Sequence, residues 1–286
     1  MRVGTVKQIW RYPVKSMGGE TVQDCQVGER GLGGDRGWAL RDETAGEIRG
    51  AKKLPELLEC TARYLDPPAN AKIPHAEITL PDGAKITTDQ PGVSARLSEL
   101  VGRPVTLWPL QPASDLEHYR RGKPDDADPA RDLRAAFGLL EDEPLPDLSG
   151  LPQEIFQFTS PPGTYFDAYP LHLVTTASLE HIRRERPQSP FDVRRFRPNF
   201  LVEPVEGAAG FVELEWCGRT LRIGGATVQV EIPTVRCAMT THAQRDLPPD
   251  PSVMRALVRH AKQNLGVYAS VLTPGAVAVG DPVELL

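Results

Sequence analysis

The sequence has few of the features that mark metal-binding or disulfide-bonded proteins. Its four cysteines, Cys25, Cys60, Cys217 and Cys237, are widely spaced and never form a C-x-x-C pair. That spacing argues against a structural zinc site or an iron–sulfur cluster. A disulfide scaffold is not expected in a chain of this size without a secretion signal. Each cysteine therefore has to be judged singly.

Long apolar runs and a strong charge of one sign are also missing. No stretch approaches the roughly 20 apolar residues of a membrane span, and the segment from Met1 to Tyr12 lacks the apolar region of a signal peptide. A formal net charge of -5 gives no footprint for nucleic acid or for an anionic membrane. We therefore expect a cytoplasmic protein that binds neither nucleic acid nor membrane.

Several catalytic signatures are absent as well. The six histidines form no H-x-x-x-H or H-x-H pair, and no serine lies in a G-x-S-x-G elbow. No Walker A or G-x-G-x-x-G sequence stands between a strand pattern and a helix pattern. The 286 residues, 40% hydrophobic and 25% charged, are ordinary for a globular protein of one large domain or two smaller ones.

What the sequence does contain is many short strand patterns separated by glycine- and proline-rich turns. Ala76 to Leu80 and Ala84 to Thr88 predict a hairpin, and Val212 to Trp216 predicts a further strand. Thr176 is predicted to be the N-cap of a helix that continues to about Glu185. Many strands with few helices favour a mainly β or α+β protein, built of barrels or curled sheets rather than of a doubly wound parallel sheet.

The composition changes between Gln111 and Pro170. Nine of the 28 prolines fall in this stretch, together with acidic clusters at 125–128 and 141–143. We interpret it as a connector and surface cover, with a helical turn or two around Ala130 to Leu140. The predicted organisation is a β-rich N-terminal domain at residues 1–112, a proline- and acid-rich connector at 113–149 and a second domain at 150–286.

Cys237 is the first candidate for chemistry. It follows Arg236 directly, and Thr240 and Thr241 come within four residues of it. The thiolate form of cysteine is both a nucleophile and a soft metal ligand, and a neighbouring positive charge favours that form. The alternative is a buried and inert cysteine, because free cysteine behaves as a small hydrophobe.

Three turns could each supply part of an anion site. Lys15 and Ser16 precede Gly18-Gly19, the segment from Gly31 to Arg36 is glycine-rich and ends in a cation, and Arg197-Pro-Asn199 offers a guanidinium and an amide. Each turn alone is consistent with a surface β-turn that carries a charge. If the three turns meet in space, their donors and cations predict a phosphate site.

Five segments together resemble the MOSC family, which is named for the C-terminal domain of molybdenum cofactor sulfurases. The resemblance covers most of the chain, is weakest across residues 111–165, and includes a companion N-terminal β-barrel domain. Among its members, the functional relatives that the sequence resembles are the amidoxime-reducing component of mitochondria and its bacterial counterparts. The segments are YPVKSMGG (12–19), GLGGDRGW (31–38), FRPN (196–199), RCAMTT (236–241) and PGAVAVGDPV (274–283).

The resemblance implies a molybdenum–pterin cofactor between the two domains, with Cys237 as the protein thiolate on the metal. Lys52 stands where relatives usually have an arginine, so it keeps the charge and loses the bidentate fork. The residues implied to bind the cofactor are Lys15, Ser16, Arg36, Lys52, Thr176, Ser178, Arg197, Asn199, Arg236, Thr240 and Thr241.

The activity that the resemblance implies is the reductive removal of oxygen from N-hydroxylated or N-oxygenated small molecules. Because the sequence ends at Leu286, right after the family pattern, we expect the electrons to come from a separate ferredoxin-, flavin- or haem-type reductase. The turn from His242 to Arg245 lacks the aspartate that follows the two threonines in the reductases, which puts the substrate pocket in question. Two alternatives stay open: a sulfur carrier with a persulfide on Cys237, and a non-catalytic module that binds the cofactor.

Overall fold

The computed structural model describes residues 1–68, 73–122, 126 and 128–286, so the first predicted acidic cluster lies partly outside the described residues. The strands are β1 (Arg2–Arg11), β2 (Glu20–Val22), β3 (Asp24–Gly28), β4 (Gly31–Leu32), β5 (Trp38–Asp42), β6 (Glu47–Arg49), β7 (Thr61–Tyr64), β8 (Ala76–Thr79), β9 (Lys85–Thr87), β10 (Val105–Pro109), β11 (Leu171–Thr175), β12 (Phe200–Pro204), β13 (Thr220–Ile223), β14 (Ala226–Val235), β15 (Asn264–Thr273), β16 (Gly275–Ala278) and β17 (Pro282–Leu285). The α-helices are α1 (Val93–Val101), α2 (Leu116–Tyr119), α3 (Pro129–Phe137), α4 (Thr176–Glu185), α5 (Val193–Phe196) and α6 (Ser252–Ala261).

A closed β-barrel of seven strands is the centre of the fold. The order is β12-β11-β15-β14-β13-β17-β1, and β1 pairs back onto β12 with Ile9 opposite Phe200. The interior is filled by apolar side chains that alternate along the strands, such as Val6, Val202 and Leu221. Since the ring is closed, none of these seven strands leaves a free edge. The α+β fold with a β-barrel confirms the predicted fold class.

The remainder of the N-terminal part is built from small sheets. Sheets β10-β5-β6 and β7-β8-β9 surround a second apolar core that includes Met17, Leu40 and Leu57. A third small sheet, β16-β3-β4, joins this part to a strand near the C-terminus. Strand pairing therefore crosses between the two halves, since β1 completes a barrel whose other strands follow residue 170. The predicted boundaries at 1–112, 113–149 and 150–286 stay predictions.

Two local predictions were wrong. The N-cap of α4 is Thr175, whose side chain accepts from the N–H of Ser178, and Thr176 is the first helical residue. Residues Val212–Trp216 form a 3₁₀ helix and not a strand. Their alternating pattern suggested a strand, but three residues per turn places Glu213 and Trp216 on one buried face.

The predicted connector contains real helices and reaches the segment of Cys237. Asp128 caps α3 by accepting from the N–H of Ala130, and Gly138 ends the helix with a positive φ. Gly138 packs on Ala238, where an added Cβ would lie 3.3 Å from the Ala238 Cα atom. Among the described residues, the helices are all too short or too polar to cross a bilayer.

Candidate functional site

Lys15 ties the turn after β1 to the second half of the chain. Its ammonium donates to the Asp167 carboxylate and to the Tyr165 carbonyl, both at 2.7 Å, and to the Ser160 hydroxyl at 3.4 Å. Burial lowers the pKa of Lys15, while the charge of Asp167 opposes that shift. The three ammonium protons are therefore all used within the protein.

Lys52 is held beside Lys15 by a main-chain contact. The Ser16 hydroxyl accepts from the N–H of Ala51 at 2.8 Å. Glycine at position 50 allows this approach, because a Cβ atom there would lie only 2.7 Å from the Ser16 Oγ, which is too close. The Lys52 ammonium is 3.7 Å from Asp167, whose charge raises the pKa of Lys52. Asp167 thus lies between the two lysines.

Arg36 and Arg197 converge on the ring of Tyr12. Their guanidinium centres lie 5.1 Å and 4.2 Å from the ring centroid, a contact that stabilises cations. Arg36 is paired with Asp35, and Arg197 donates through Nη1 to the Met17 carbonyl at 2.7 Å. Burial lowers the pKa of Arg197 to about 10. The buried Nη2 of Arg197 has no hydrogen-bond partner among the described residues.

Asn199 completes the contact between the three predicted turns. Its Nδ2 donates to Asp35 at 2.9 Å, and its Oδ1 accepts from the N–H of His172 at 3.1 Å. With the contact of Arg197 to Met17, all three turns meet between the two halves of the chain, and this junction is named the cleft. The three turns therefore meet in space, which is the arrangement for which the sequence predicts an anion site.

Arg236 borders the same cleft on the side of Cys237. It donates to the Phe196 carbonyl at 2.9 Å and lies 3.4 Å from the His172 ring, whereas its buried Nε has no partner in the described part of the chain. Gln263 fixes its main chain through two hydrogen bonds, one in each direction. Burial, followed by the charge of Arg236, holds the pKa of His172 well below its usual value, so His172 is neutral near pH 7.

Cys237 is partly exposed and precedes a short 3₁₀ helix, Ala238–Thr241. Its carbonyl accepts from both the N–H and the hydroxyl of Thr240, at 3.2 Å and 3.1 Å. The Thr241 hydroxyl donates to the Ala238 carbonyl at 2.7 Å. Both threonine hydroxyls thus donate to the main chain of their own turn and set the direction of the segment.

Arg195 holds the loop that follows, a role that the sequence does not reveal. Its side chain is fully buried, and it donates at distances between 2.6 and 3.1 Å. The acceptors are the carbonyl oxygens of Pro190, Thr240, His242 and Pro248. Its neighbour Arg194 instead pairs at the surface with Asp192 and Asp246. Arg194, Arg195 and Arg197 are close together in the sequence, yet each has a different set of partners.

Backbone strain collects around the cleft. Six residues other than glycine have a positive φ in the described structure, and they include Ser16, Arg36 and Arg197. Gln263, which clamps Arg236, is a fourth. Such conformations are costly and persist where the surroundings impose them, often at binding sites.

Thr176 and Ser178 do not join this cluster. They follow the end of β11 at Thr175, whereas His172 lies near its start, about 10 Å away at the usual rise of a strand. Ser178 donates to Glu213, and so does Thr175 at 2.6 Å. The cofactor role that the resemblance gives to Thr176 and Ser178 stays a prediction.

Two residues of the cleft have no signal in the sequence. Asp167 belongs to no recognisable motif, and only the fold places it between two lysines. Tyr268 lies in β15 with its ring 5.7 Å from that of His172. Burial raises the pKa of Tyr268 to about 12, and the charges of Asp167 and Lys52 also act on it.

The cleft carries an excess of positive charge. Five cations belong to it, and two carboxylates, Asp35 and Asp167, accompany them, so three positive charges have no counter-charge within the cluster. Uncompensated buried charge is costly, and an anionic ligand would offset it. The unpartnered nitrogens of Arg197 and Arg236 are donors suited to such a ligand. The cations are Lys15, Arg36, Lys52, Arg197 and Arg236.

Two family models match this chain. The MOSC domain matches residues 161–284, and the MOSC N-terminal beta barrel domain matches residues 3–104. The chain is therefore a MOSC domain protein with the companion N-terminal barrel domain. The cleft lies where the segments covered by the two matches meet.

Curated relatives extend the similarity to the whole chain. The mitochondrial amidoxime-reducing component 1 of Mus musculus is 25% identical over 305 residues, which cover 100% of this chain and 83% of the relative. The mitochondrial amidoxime reducing component 2 of Homo sapiens is 26% identical over 306 residues, with 99% and 83% covered. The solved structure of the YUAD protein from Bacillus subtilis is 14% identical, covers 99% of this chain and 95% of its own, and has a TM-score of 0.47.

Proposed function

We propose that this chain binds a molybdenum–pterin cofactor in the cleft and reduces N-hydroxylated or N-oxygenated small molecules with electrons from a separate donor. The observation that carries the proposal is the excess of cations, of which Lys15, Arg197 and Arg236 are buried, with two unpartnered guanidinium nitrogens, next to the segment of Cys237. The amidoxime-reducing names of relatives about 25% identical to this chain support the reaction class.

The cations would hold the phosphate of the pterin. Arg197 and Arg236 each have a buried N–H direction that no described protein group fills, and both guanidinium groups are fixed by other hydrogen bonds. Donors that are already oriented lose little entropy when the anion binds. Arg36 and Lys52 would add charge without the same preorganised geometry.

Cys237 would be the protein ligand of the metal. A soft thiolate suits molybdenum held by a pterin dithiolene, and the bound cofactor would supply the two-electron chemistry. The chain's part is to orient the thiol, which the hydrogen bonds of Thr240 to the Cys237 carbonyl achieve. Phe137, at the end of α3, has its ring centroid 5.9 Å from the Lys52 ammonium and helps to cover this side of the cleft.

Groups that keep a proton at neutral pH would serve as hydrogen-bond donors to the bound substrate. Tyr268 qualifies because burial raises its pKa to about 12, and the phenol oxygen therefore stays protonated. Lys52 qualifies as well, because the carboxylate of Asp167 raises the pKa of its ammonium. His172 is neutral and buried, so we assign it to orienting Arg236 and not to proton transfer.

Metal and pterin analysis of the protein, purified from a host that makes the cofactor, tests the proposal. We expect about one molybdenum per wild-type chain and less than about a tenth of that in C237S, since the ligand is lost. C217S, which changes a half-buried cysteine in another part of the chain, is the matched control and should keep its metal.

Two outcomes contradict this assignment. If wild type and C237S contain equally little molybdenum, Cys237 is not the metal ligand. If the wild-type protein without molybdenum carries a persulfide mass shift that C237S lacks, the sulfur-carrier alternative is favoured instead. A protein that holds the cofactor and shows no turnover with amidoximes or hydroxylamines and a reductant would be a binding module.

A further inference from the structure

Among the described residues, Asp167 is the one acidic group in contact with both lysines of the cleft. Its Oδ1 accepts from Lys15 at 2.7 Å, and its Oδ2 lies 3.7 Å from Lys52. Burial would raise the pKa of Asp167, but the charges of Lys15 and Lys52 outweigh that effect and lower it. The carboxylate is therefore ionised and occupies the position in which a ligand's phosphate oxygen would meet these two cations.

The contacts of Lys15 show which group can give way. An ammonium has three protons, and those of Lys15 go to Asp167, to the Tyr165 carbonyl and to the Ser160 hydroxyl. The last two acceptors are neutral, and Tyr165 and Ser160 are buried. The Asp167 side chain is 46% exposed, so of the three acceptors it alone can move into solvent without itself staying buried and unpaired, while an incoming anion takes its place on the buried Lys15 ammonium.

We propose that Asp167 is a specificity-determining residue, an internal competitor that occupies the lysine pair of the cleft and is displaced only by an anion that also reaches the arginines. The inference deepens the proposed function by naming what selects the phosphorylated ligand. It rests on that function only in taking a phosphate as the anion.

The selection follows from effective concentration. A carboxylate on the same chain competes at millimolar or higher effective concentration, so free phosphate below that level does not replace it. A larger phosphorylated ligand gains further hydrogen bonds, because the Arg197 Nη2 and the Arg236 Nε are buried and unpartnered in the described structure. Asp167 thus keeps abundant small anions out of a cleft that has three excess positive charges.

Titration of the cofactor-free protein with inorganic phosphate, measured by isothermal titration calorimetry, tests this inference. We expect weak binding to wild type and at least about tenfold tighter binding to D167N, because a carboxylate within about 4 Å of two ammonium groups is removed. D82N makes the same change in net charge at an exposed turn and should bind like wild type. D167E keeps the competing charge and should also bind weakly.

A further substitution tests whether Lys52 causes the gain in phosphate affinity of D167N. Adding Lys52→Met to D167N should cancel the gain in phosphate affinity, since Lys52 is one of the two cations released. A measurement without any variant is the carboxyl ¹³C shift of Asp167 in wild type, which should change at saturating phosphate. Equal or weaker binding by D167N, the same gain in D82N, or an unchanged Asp167 signal at saturation would each overturn the inference.

The outcome is separable from that of the proposed function. Phosphate affinity is measured without cofactor, metal or turnover, so the expected D167N result can hold while C237S and wild type contain equally little molybdenum. Conversely, a molybdenum-loaded wild type with no gain in D167N would retain the function and reject the role of Asp167.

Discussion

The two ends of β11 carry two buried polar clusters of opposite design. Near its start, His172 borders a cleft with three excess positive charges and two guanidinium nitrogens without described partners. At its end, Thr175 and Ser178 both donate to one buried carboxyl group, Glu213, which faces no cation in hydrogen-bond contact among the described residues. Both clusters are polar and buried, but the cleft has too little negative charge for its cations, whereas the Glu213 cluster has no described cation.

That difference separates a ligand site from a structural one. The cleft is electrostatically incomplete without an anion, and its donors are held in strained backbone conformations. In the Glu213 cluster, Oε2 accepts from two hydroxyls, the buried Oε1 has no partner in the described part of the chain, and burial raises the pKa of the carboxyl group. No described cation contacts this cluster, so nothing in it would attract an anion, and we expect it to serve the N-terminus of α4.

The largest expected effect comes from removing one cation of the cleft. R197M should lower the affinity for the phosphorylated cofactor about a hundredfold, because charged hydrogen-bonded pairs are worth about 2–5 kcal/mol when truncated. The unfolding free energy of the cofactor-free protein should stay within about 1 kcal/mol of wild type, since a buried and uncompensated charge is lost as well. Cofactor content and urea denaturation measure the two quantities.

R194M is the matched control for this prediction. It removes the same charge three residues earlier, where Arg194 forms surface ion pairs with Asp192 and Asp246. Full cofactor content is expected in R194M. If R194M and R197M lose cofactor equally, net charge and not the cleft explains the effect.

A substitution in the Glu213 cluster should change the unfolding free energy of the protein and leave phosphate binding unchanged. T175V removes the cap of α4 and the hydrogen bond to Glu213, at a cost of about 2 kcal/mol in unfolding free energy. Denaturant unfolding measures the cost, and phosphate titration should show no change. T176V tests the neighbouring threonine, which does not cap the helix. Loss of cofactor in that variant would support the cofactor-binding role that the family resemblance gives to Thr176.

The smallest expected effect is a change in the pH dependence of stability. Because the pKa of Glu213 is raised on folding, its contribution is fully present below the ordinary glutamate value of about 4.3 and is lost as pH rises through the folded value. E213Q should remove that loss, so its stability relative to wild type should rise with pH. Urea denaturation between about pH 4.5 and 8 measures this trend, with E215Q at an exposed position as the control. A flat difference between E213Q and wild type would show that Glu213 keeps the same charge in both states.

The local patterns predict the strands better than they predict the site. β8 and β9 lie where the predicted hairpin places them, because the residues of β8 alternate between buried and half-buried positions. The same alternation misled at Val212–Trp216, since a buried carboxyl group bonded to Thr175 and Ser178 decides that segment's conformation. Tertiary contacts of this kind leave no trace in a local pattern.

The site shows the same limit. Lys15, Arg36 and Arg197 can be chosen from the sequence because cations beside turn residues suggest an anion, and the cleft does bring them together. Asp167 and Tyr268 cannot be chosen, because their neighbours in the cleft, such as Lys15 for Asp167 and His172 for Tyr268, are far away in the sequence. Arg195 looks like part of a basic patch, yet it is a buried clamp on four carbonyl groups.

The pairing of β1 with β12 also dictates when the site can form. Lys7 and Glu203, which bond across that pair, are 196 positions apart, so the barrel closes through contacts of very high sequence separation. Such closure is slow, and during synthesis β1 lacks its barrel partners β12 and β17 until the second half of the chain emerges. Because β1 runs directly into the turn of Lys15, the step that seals the barrel also delivers the first cation to the cleft. On the proposed function, ligand loading would therefore be a late event in the maturation of this protein, coupled to the completion of folding.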